Sequence, residues 1–236
     1  MKINFLTRLY KRYLNSRFRT TRFFRSMQKI FSYSEREKVL KTCLEFVSFN
    51  KVKGDYLEFG VFEGDNFIKA ILFSRNKDLE NMKFFAFDSF EGLPNISGLD
   101  KKVEIFSKNQ FSCNVNKFRN ILQKKKIDLN KIEIIEGWFN KTLNQKLKRK
   151  LNIKKASVIF VDVDLYESCV PVMDFITDYI QDGTIIIFDD YFCYKGSNKL
   201  GVRKAFEDWL KKNKNITVTP YLQYDWMGKA FILHKK

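Results

Sequence analysis

Ala156-Ser157-Val158-Ile159-Phe160-Val161-Asp162-Val163-Asp164-Leu165-Tyr166-Glu167-Ser168 and Thr184-Ile185-Ile186-Ile187-Phe188-Asp189-Asp190-Tyr191 carry one pattern twice: an apolar, β-prone run that ends in aspartates and then an aromatic. Continuous apolar runs of this length read as strands buried on both faces of a parallel sheet. Ligands of open α/β sheets bind just beyond the carboxyl ends of such strands. The pattern therefore brings Asp162, Asp189 and Asp190 to one crevice. Three carboxylates held together repel unless a cation neutralises them, and hard oxygen donors suit Mg²⁺, Ca²⁺ or Mn²⁺. The bland alternative is that Asp189-Asp190 only caps the next helix. Its weakness is that the arrangement occurs twice.

Outward from these strands the sequence alternates. Ser34-Glu35-Arg36-Glu37 has the form of a capping box and opens a helix to about Phe49. Strand Tyr56–Phe59 leads through a turn at Gly60 to Gly64 into a helix ending near Phe73, and strand Phe84–Phe87 ends at Asp88. An irregular stretch with Gly92, Pro94 and Gly98 precedes a helix near Asn116–Lys125 and strand Ile132–Ile135. A helix over about Cys169–Ile180 separates the two acid-tipped strands. Helix Val202–Lys212 and strands near Ile216–Thr219 and Ala230–His234 close the chain. Alternating β and α with right-handed crossovers predicts an α/β fold, a Rossmann-like doubly wound sheet, mostly parallel with an antiparallel C-terminal edge hairpin.

At 236 residues, 44% hydrophobic and 30% charged, the chain fits one folded domain with a full core, and its 25 phenylalanines point to a Phe-rich interior. Cys43, Cys113, Cys169 and Cys193 lie far apart without zinc-ligand spacing, which argues against a zinc site or disulfide framework and for a reducing compartment. The one histidine, His234, sits near the end in a predicted strand, so a His-dependent hydrolase triad is excluded.

Net charge is +17, and up to Ser34 there are nine basic residues and no acid. Apolar residues recur there at three- and four-residue spacing, so residues 1–33 are predicted as a basic amphipathic helical extension of a domain over 34–236. Three uses of residues 1–31 stay open: packing on the domain or a partner subunit, lying on an anionic membrane, or touching nucleic acid. No apolar run approaches a bilayer span and no secretory signal is present, so the expected location is cytoplasmic, with peripheral contact at the inner membrane face as one use of the extension.

Glu58-Phe59-Gly60-Val61-Phe62-Glu63-Gly64 falls at the first strand-to-helix turn, where glycines let backbone approach a ligand. The spacing is not that of dinucleotide binders, which disfavours a nicotinamide oxidoreductase. An acid ending the second strand, here Asp88, commonly holds ribose hydroxyls; otherwise it is a turn or cap residue. Together these features predict an adenosine-containing ligand over the first three strands.

Gly54-Asp55-Tyr56-Leu57-Glu58-Phe59-Gly60-Val61-Phe62-Glu63-Gly64, Phe87-Asp88-Ser89-Phe90-Glu91-Gly92-Leu93-Pro94, Gly137-Trp138-Phe139-Asn140-Lys141-Thr142-Leu143, the Asp162 segment and Asp189-Asp190-Tyr191 together resemble the macrocin/mycinamicin-type sugar O-methyltransferases. The resemblance runs in order from about Tyr33 to the C-terminus. It implies the class I methyltransferase fold, S-adenosylmethionine and Mg²⁺ as cofactors, and a sugar or glycoconjugate hydroxyl as acceptor. It further implies that Glu58 and Gly60 line the methionine side of the cofactor, Asp88 with Ser89 the ribose, and Gly137 and Trp138 the adenine, with Val61, Gly64 and Phe90 also among the cofactor-binding residues. Asp162, Asp189 and Asp190 would hold the metal and be the catalytic set, with Asp162 also bordering the cofactor. A homodimer is implied through the N-terminal helices. Two departures stand out: Gly64-Asp65-Asn66 replaces the family's Gly-Gly-Ser, and the histidine base assigned before the third strand has no counterpart. Asp164 and Glu167 are the candidate proton acceptors in its place, although Glu167 also suits a plain helix N-terminus.

The competing reading is a non-catalytic methyltransferase-fold module that docks on membrane or RNA through its basic arm. The charge also invites an RNA methyltransferase, but the Asn/Asp-Pro-Pro-Tyr/Phe motif of base-modifying enzymes is absent. No nucleic-acid partner is expected.

Overall fold

The computed structural model describes residues 33–75, 77–79, 81–102 and 105–236. The basic extension expected over 1–33 lies, Tyr33 apart, outside the described residues. Helix α1 (Glu35–Phe49) starts with the reciprocal cap its sequence predicts: the Glu37 backbone N–H donates to Ser34 Oγ at 3.2 Å, and the Ser34 N–H donates to Glu37 Oε2 at 2.9 Å.

Strands β1 (Asp55–Phe59), β2 (Phe84–Asp88), β3 (Ile132–Glu136), β4 (Ala156–Val161) and β5 (Thr184–Phe188) are parallel; β6 (Ile216–Tyr224) and β7 (Gly228–Lys235) close the sheet in the order β3-β2-β1-β4-β5-β7-β6. The registers Leu57↔Phe85, Leu57↔Ile159 and Ile159↔Ile186 run along the parallel strands, and Ile186↔Phe231 places β7 antiparallel to β5. The chain winds outward through β1, β2 and β3, then returns to β4 beside β1. That reversal is the topological switch point where α/β sheets bind ligands.

Helices α2 (Asp65–Ser74) and α3 (Val115–Lys124) join α1 on one face. The short helices α4 (Phe139–Thr142) and α5 (Gln145–Lys150), with α6 (Tyr166–Ile176) and α7 (Gly201–Lys212), cover the other. All six residues of β4 and all five of β5 are buried, as continuous apolar runs require. Phenylalanines fill both layers: Phe59 stacks on Phe87 at 4.5 Å, and Phe67, Phe118, Phe175 and Phe206 are fully buried. The four cysteines are buried free thiols.

The structure moves three boundaries. Helix α6 begins at Tyr166, three residues before its predicted start, and ends at Ile176 rather than Ile180. The cause of the early start is Asp100, whose Oδ1 accepts the Tyr166 N–H at 2.9 Å and whose Oδ2 accepts the Glu167 N–H at 3.0 Å. A cap delivered from sixty-six residues away leaves no local signal. The edge hairpin is also longer than predicted, because pairing resumes after an irregularity between Pro220 and Leu222. Proline is tolerated there because β6 is an edge strand.

Candidate active site

The acidic cluster is built by extending the parallel ladder past the strand ends. The Asp162 N–H donates to the Phe59 carbonyl at 2.9 Å, and the Asp189 N–H donates to the Val161 carbonyl at 3.1 Å. Each tip is thereby fixed to its neighbour, and one oxygen from each of Asp162, Asp189 and Asp190 falls within 4.8 Å of the others. Asp189 is 2% exposed and Asp190 5%. Neither caps a helix: the residue preceding α7 is Leu200, with no side-chain cap.

Arg36, in the first turn of α1, supplies the countercharge. Its Nη1 lies 3.4 Å from Asp162 Oδ2, and its Nη2 forms a short ion pair with Asp189 Oδ2. Asp189 Oδ1 accepts the Tyr224 hydroxyl at 2.8 Å. Asp190 Oδ1 faces Cys193 Sγ at 3.4 Å, whereas Asp190 Oδ2 is buried with no hydrogen-bond partner. Burial and the neighbouring carboxylates raise Asp162 well above the usual carboxylate range and bring Asp190 to about 6. Burial raises Asp189 as well, against the opposing pull of Arg36 and Tyr224. Three converging hard donors, one of them an orphaned buried oxygen, fit a divalent cation of the Mg²⁺ or Mn²⁺ kind.

The turn after β1 is shaped by close approaches. Gly60 has φ +81°, and a Cβ there would overlap the Asp162 carbonyl; Gly64 has φ +84° and faces the Phe118 ring. Asp88 ties this turn to the end of β2. Its Oδ2 accepts the Val61 N–H at 2.7 Å and the Phe62 N–H at 3.2 Å, and its Oδ1 accepts the Phe90 N–H at 2.7 Å. The turn-residue role of Asp88 is thus present in the structure, and Oδ1, with one donor, keeps a lone pair for another. Ser89 Oγ accepts the Glu91 N–H at 3.1 Å and donates to the Gly92 carbonyl at 2.9 Å. Gly137 donates to the Asp88 carbonyl at 2.8 Å, which sets Trp138 at the start of α4.

Glu58 is 1% exposed and accepts from Tyr56 Oη and, at 3.0 Å, from Asn66 Nδ2. Burial lifts its carboxyl to about 8 against those two hydrogen bonds. Asn66, standing where the resembled family has serine, is therefore an orienter of Glu58.

A cleft of about 930 Å³ runs along the carboxyl ends of the strands. Glu58, Gly60, Val61, Gly64, Asp88, Ser89 and Trp138 line it together with Asp162, Asp189 and Asp190. Two expected cofactor residues stand back from it. Phe90 turns into the core, its ring 5.5 Å from Phe118, and Gly137 contributes backbone behind Trp138. Asp164 and Glu167 also line the cleft. Asp164 is buried, has φ +57°, and is pushed well above the usual range by burial and by Asp190 and Asp189. Glu167 is the second residue of α6, bound through its N–H to Asp100, so its helix-terminal role is realised.

Sequence reasoning missed Arg36, Tyr224 and Asp100. Arg36 read only as part of a capping box, and Tyr224 fell between the two predicted C-terminal strands. Both meet the acids through sequence separations above thirty.

Comparison with known proteins bears on the family and the fold. The sequence profile of the macrocin-O-methyltransferase (TylF) family matches residues 26–232. An 8-demethyl-8-(2,3-dimethoxy-alpha-L-rhamnosyl)-tetracenomycin-C 4'-O-methyltransferase from Streptomyces olivaceus is 26% identical over 159 residues, 64% of this chain and 58% of that protein. A demethyldecarbamoylnovobiocin O-methyltransferase from Streptomyces niveus is 26% identical over 162 residues, 66% of this chain and 60% of that one. The chain thus spans about three fifths of the length of these curated relatives. The solved structure of the O-methyltransferase NovP superposes with a TM-score of 0.69 at 22% identity, covering 86% of this chain and 80% of that one. The fold is the class I methyltransferase fold. With its profile match running from residue 26 to residue 232, the chain belongs to the macrocin-O-methyltransferase (TylF) family.

Proposed function

We propose that the protein is an S-adenosylmethionine- and Mg²⁺-dependent O-methyltransferase acting on a hydroxyl of a sugar or glycoconjugate. The observation that carries this reading is the convergence of Asp162, Asp189 and Asp190 within 4.8 Å, in the same cleft as the β1 turn. The acceptor class follows the curated relative whose name gives a rhamnosyl-bearing tetracenomycin as its substrate.

In this reading Gly60 to Gly64 and Glu58 receive the methionine portion of the cofactor, Asp88 with Ser89 its ribose, and Trp138 its base. Bound there, S-adenosylmethionine supplies an electrophilic methyl group. Asp162, Asp189 and Asp190 would hold the Mg²⁺, which supplies Lewis acidity toward neighbouring sugar hydroxyls. The chain's own work is alignment and proton transfer. The ladder bonds from Asp162 to Phe59 and from Asp189 to Val161 hold the two halves of the cleft in fixed register, so that acceptor oxygen and methyl group can lie in line. Asp164, in its ionised form, takes the proton from the acceptor hydroxyl, and its burial beside Asp190 and Asp189 raises its affinity for that proton.

The test is transfer of labelled methyl from S-adenosylmethionine to a panel of deoxysugar glycosides. Turnover should vanish in EDTA and return with Mg²⁺. Full activity in EDTA overturns the metal dependence, and Asp164→Asn with undiminished kcat overturns the base.

A further inference from the structure

Arg36 occupies oxygens that the cation needs. Its guanidinium holds Asp189 Oδ2 and reaches Asp162 Oδ2 at 3.4 Å, while Tyr224 holds Asp189 Oδ1 at 2.8 Å. Both oxygens of Asp189 already have a donor, whereas Asp190 Oδ2 has no partner. Each Asp189 oxygen keeps a second lone pair, but a cation ligated by Asp162 and Asp189 repels the guanidinium that bridges them, so charged Arg36 rather than neutral Tyr224 is the group it drives off. Tyr224 is 2% exposed, and its ring lies against Gly228, so it has no room to leave. The Arg36 side chain is one-third exposed, lines the cleft, and ends a long flexible stem.

We infer that Arg36 is a latch on the divalent-cation site: its guanidinium and the metal compete for Asp189 and Asp162, and metal binding releases Arg36 into the cleft. The inference rests on the metal reading above. The helix itself need not move, because Val39, Leu40, Cys43 and Leu44 anchor α1 in the core. Only the side chain exchanges. In the latched state Arg36 offsets the repulsion between Asp162 and Asp189, so the empty site is stable; in the open state the cation does so instead. The latch lowers apparent metal affinity by the fraction of time the site is free. The released guanidinium, lying in the cleft, presents a fork of donors to an anionic group on an acceptor.

Calorimetric titration of the full chain with Mn²⁺, for the wild type and Arg36→Gln, reads the competition directly. A latch closed about nine-tenths of the time predicts binding about tenfold tighter in Arg36→Gln. Arg36→Lys, which keeps the charge but cannot span two carboxylates, should fall between them and serves if the glutamine variant folds poorly. A crystal structure of the wild type with Mn²⁺ should show Arg36 parted from Asp189. Equal or weaker binding by Arg36→Gln, or an intact Arg36–Asp189 pair beside bound Mn²⁺, overturns the latch while leaving the metal site in place. No Mn²⁺ binding by any of the three proteins overturns the metal reading, and the latch with it.

Discussion

Gly60 and Asp162 meet across the switch point of the sheet, with the Asp162 carbonyl lying where a side chain at Gly60 would begin. One residue belongs to the turn after β1 and the other to the acidic cluster. Their contact joins the β1 turn to the acidic cluster.

Gly60→Ala tests that contact. The new methyl must displace backbone, and φ +81° is strained for any side chain. We expect a loss of more than about 2 kcal/mol in urea denaturation, together with weakened metal binding. A variant as stable as the wild type would show that the contact is not a constraint.

Asp190→Asn should separate stability from function. Burial and the Asp189 charge bring this carboxyl to about 6, so at pH 8 it is ionised at a cost. Removing the charge in EDTA should stabilise the protein by about 1–3 kcal/mol while abolishing metal binding and turnover. The same shift sets a pH dependence in the wild type. Below about pH 6 Asp190 holds a proton, so Mg²⁺ affinity should fall as pH drops through that value. Isothermal titrations at pH 5, 6 and 8 read this directly.

Glu58 predicts a slope in stability. Its folded carboxyl sits at about 8, above the ordinary value of 4.5, because it is buried. Between those values the folded chain keeps a proton that the unfolded chain releases, so its stabilising contribution is lost as pH rises toward 8. The slope is at most about 1.4 kcal/mol per pH unit. Glu58→Gln keeps partners for Tyr56 and Asn66 and removes the slope. Comparing urea midpoints at pH 5 and pH 8, the wild type should lose up to about 4 kcal/mol more than the variant. Parallel pH profiles for the two proteins would show that Glu58 stays ionised when buried.

Much of this was legible in the chain because it is written locally. Runs such as Val158–Val161 and Thr184–Phe188 declare buried strands by composition, and their order dictates the winding. The aspartates that follow them could go only to the carboxyl edge. What was not legible arrives from far away in sequence. Arg36 crosses to the cluster from α1, Tyr224 from the edge hairpin, and Asp100 from the loop after β2. Phe90 fails as a cleft residue for a related reason: the turn that Asp88 organises points its ring at Phe118, a partner no local pattern names.

Asp100 also carries a prediction. It alone accepts both first N–H groups of α6, whose amino end borders the cleft at Glu167. Asp100→Ala should cost about 1–2 kcal/mol in chemical denaturation, and hydrogen exchange should quicken at Tyr166 and Glu167. Unchanged protection there would mean that other groups hold the helix start.

If the cleft is a cofactor site, calorimetric titration of the folded chain with S-adenosylmethionine will show it. Binding should be saturable with a dissociation constant of about 1–100 µM, weakened at least tenfold by Asp88→Asn, which removes one acceptor of the carboxylate facing the β1 turn. A folded sample that takes up no S-adenosylmethionine, with Mg²⁺ or without it, would contradict the account.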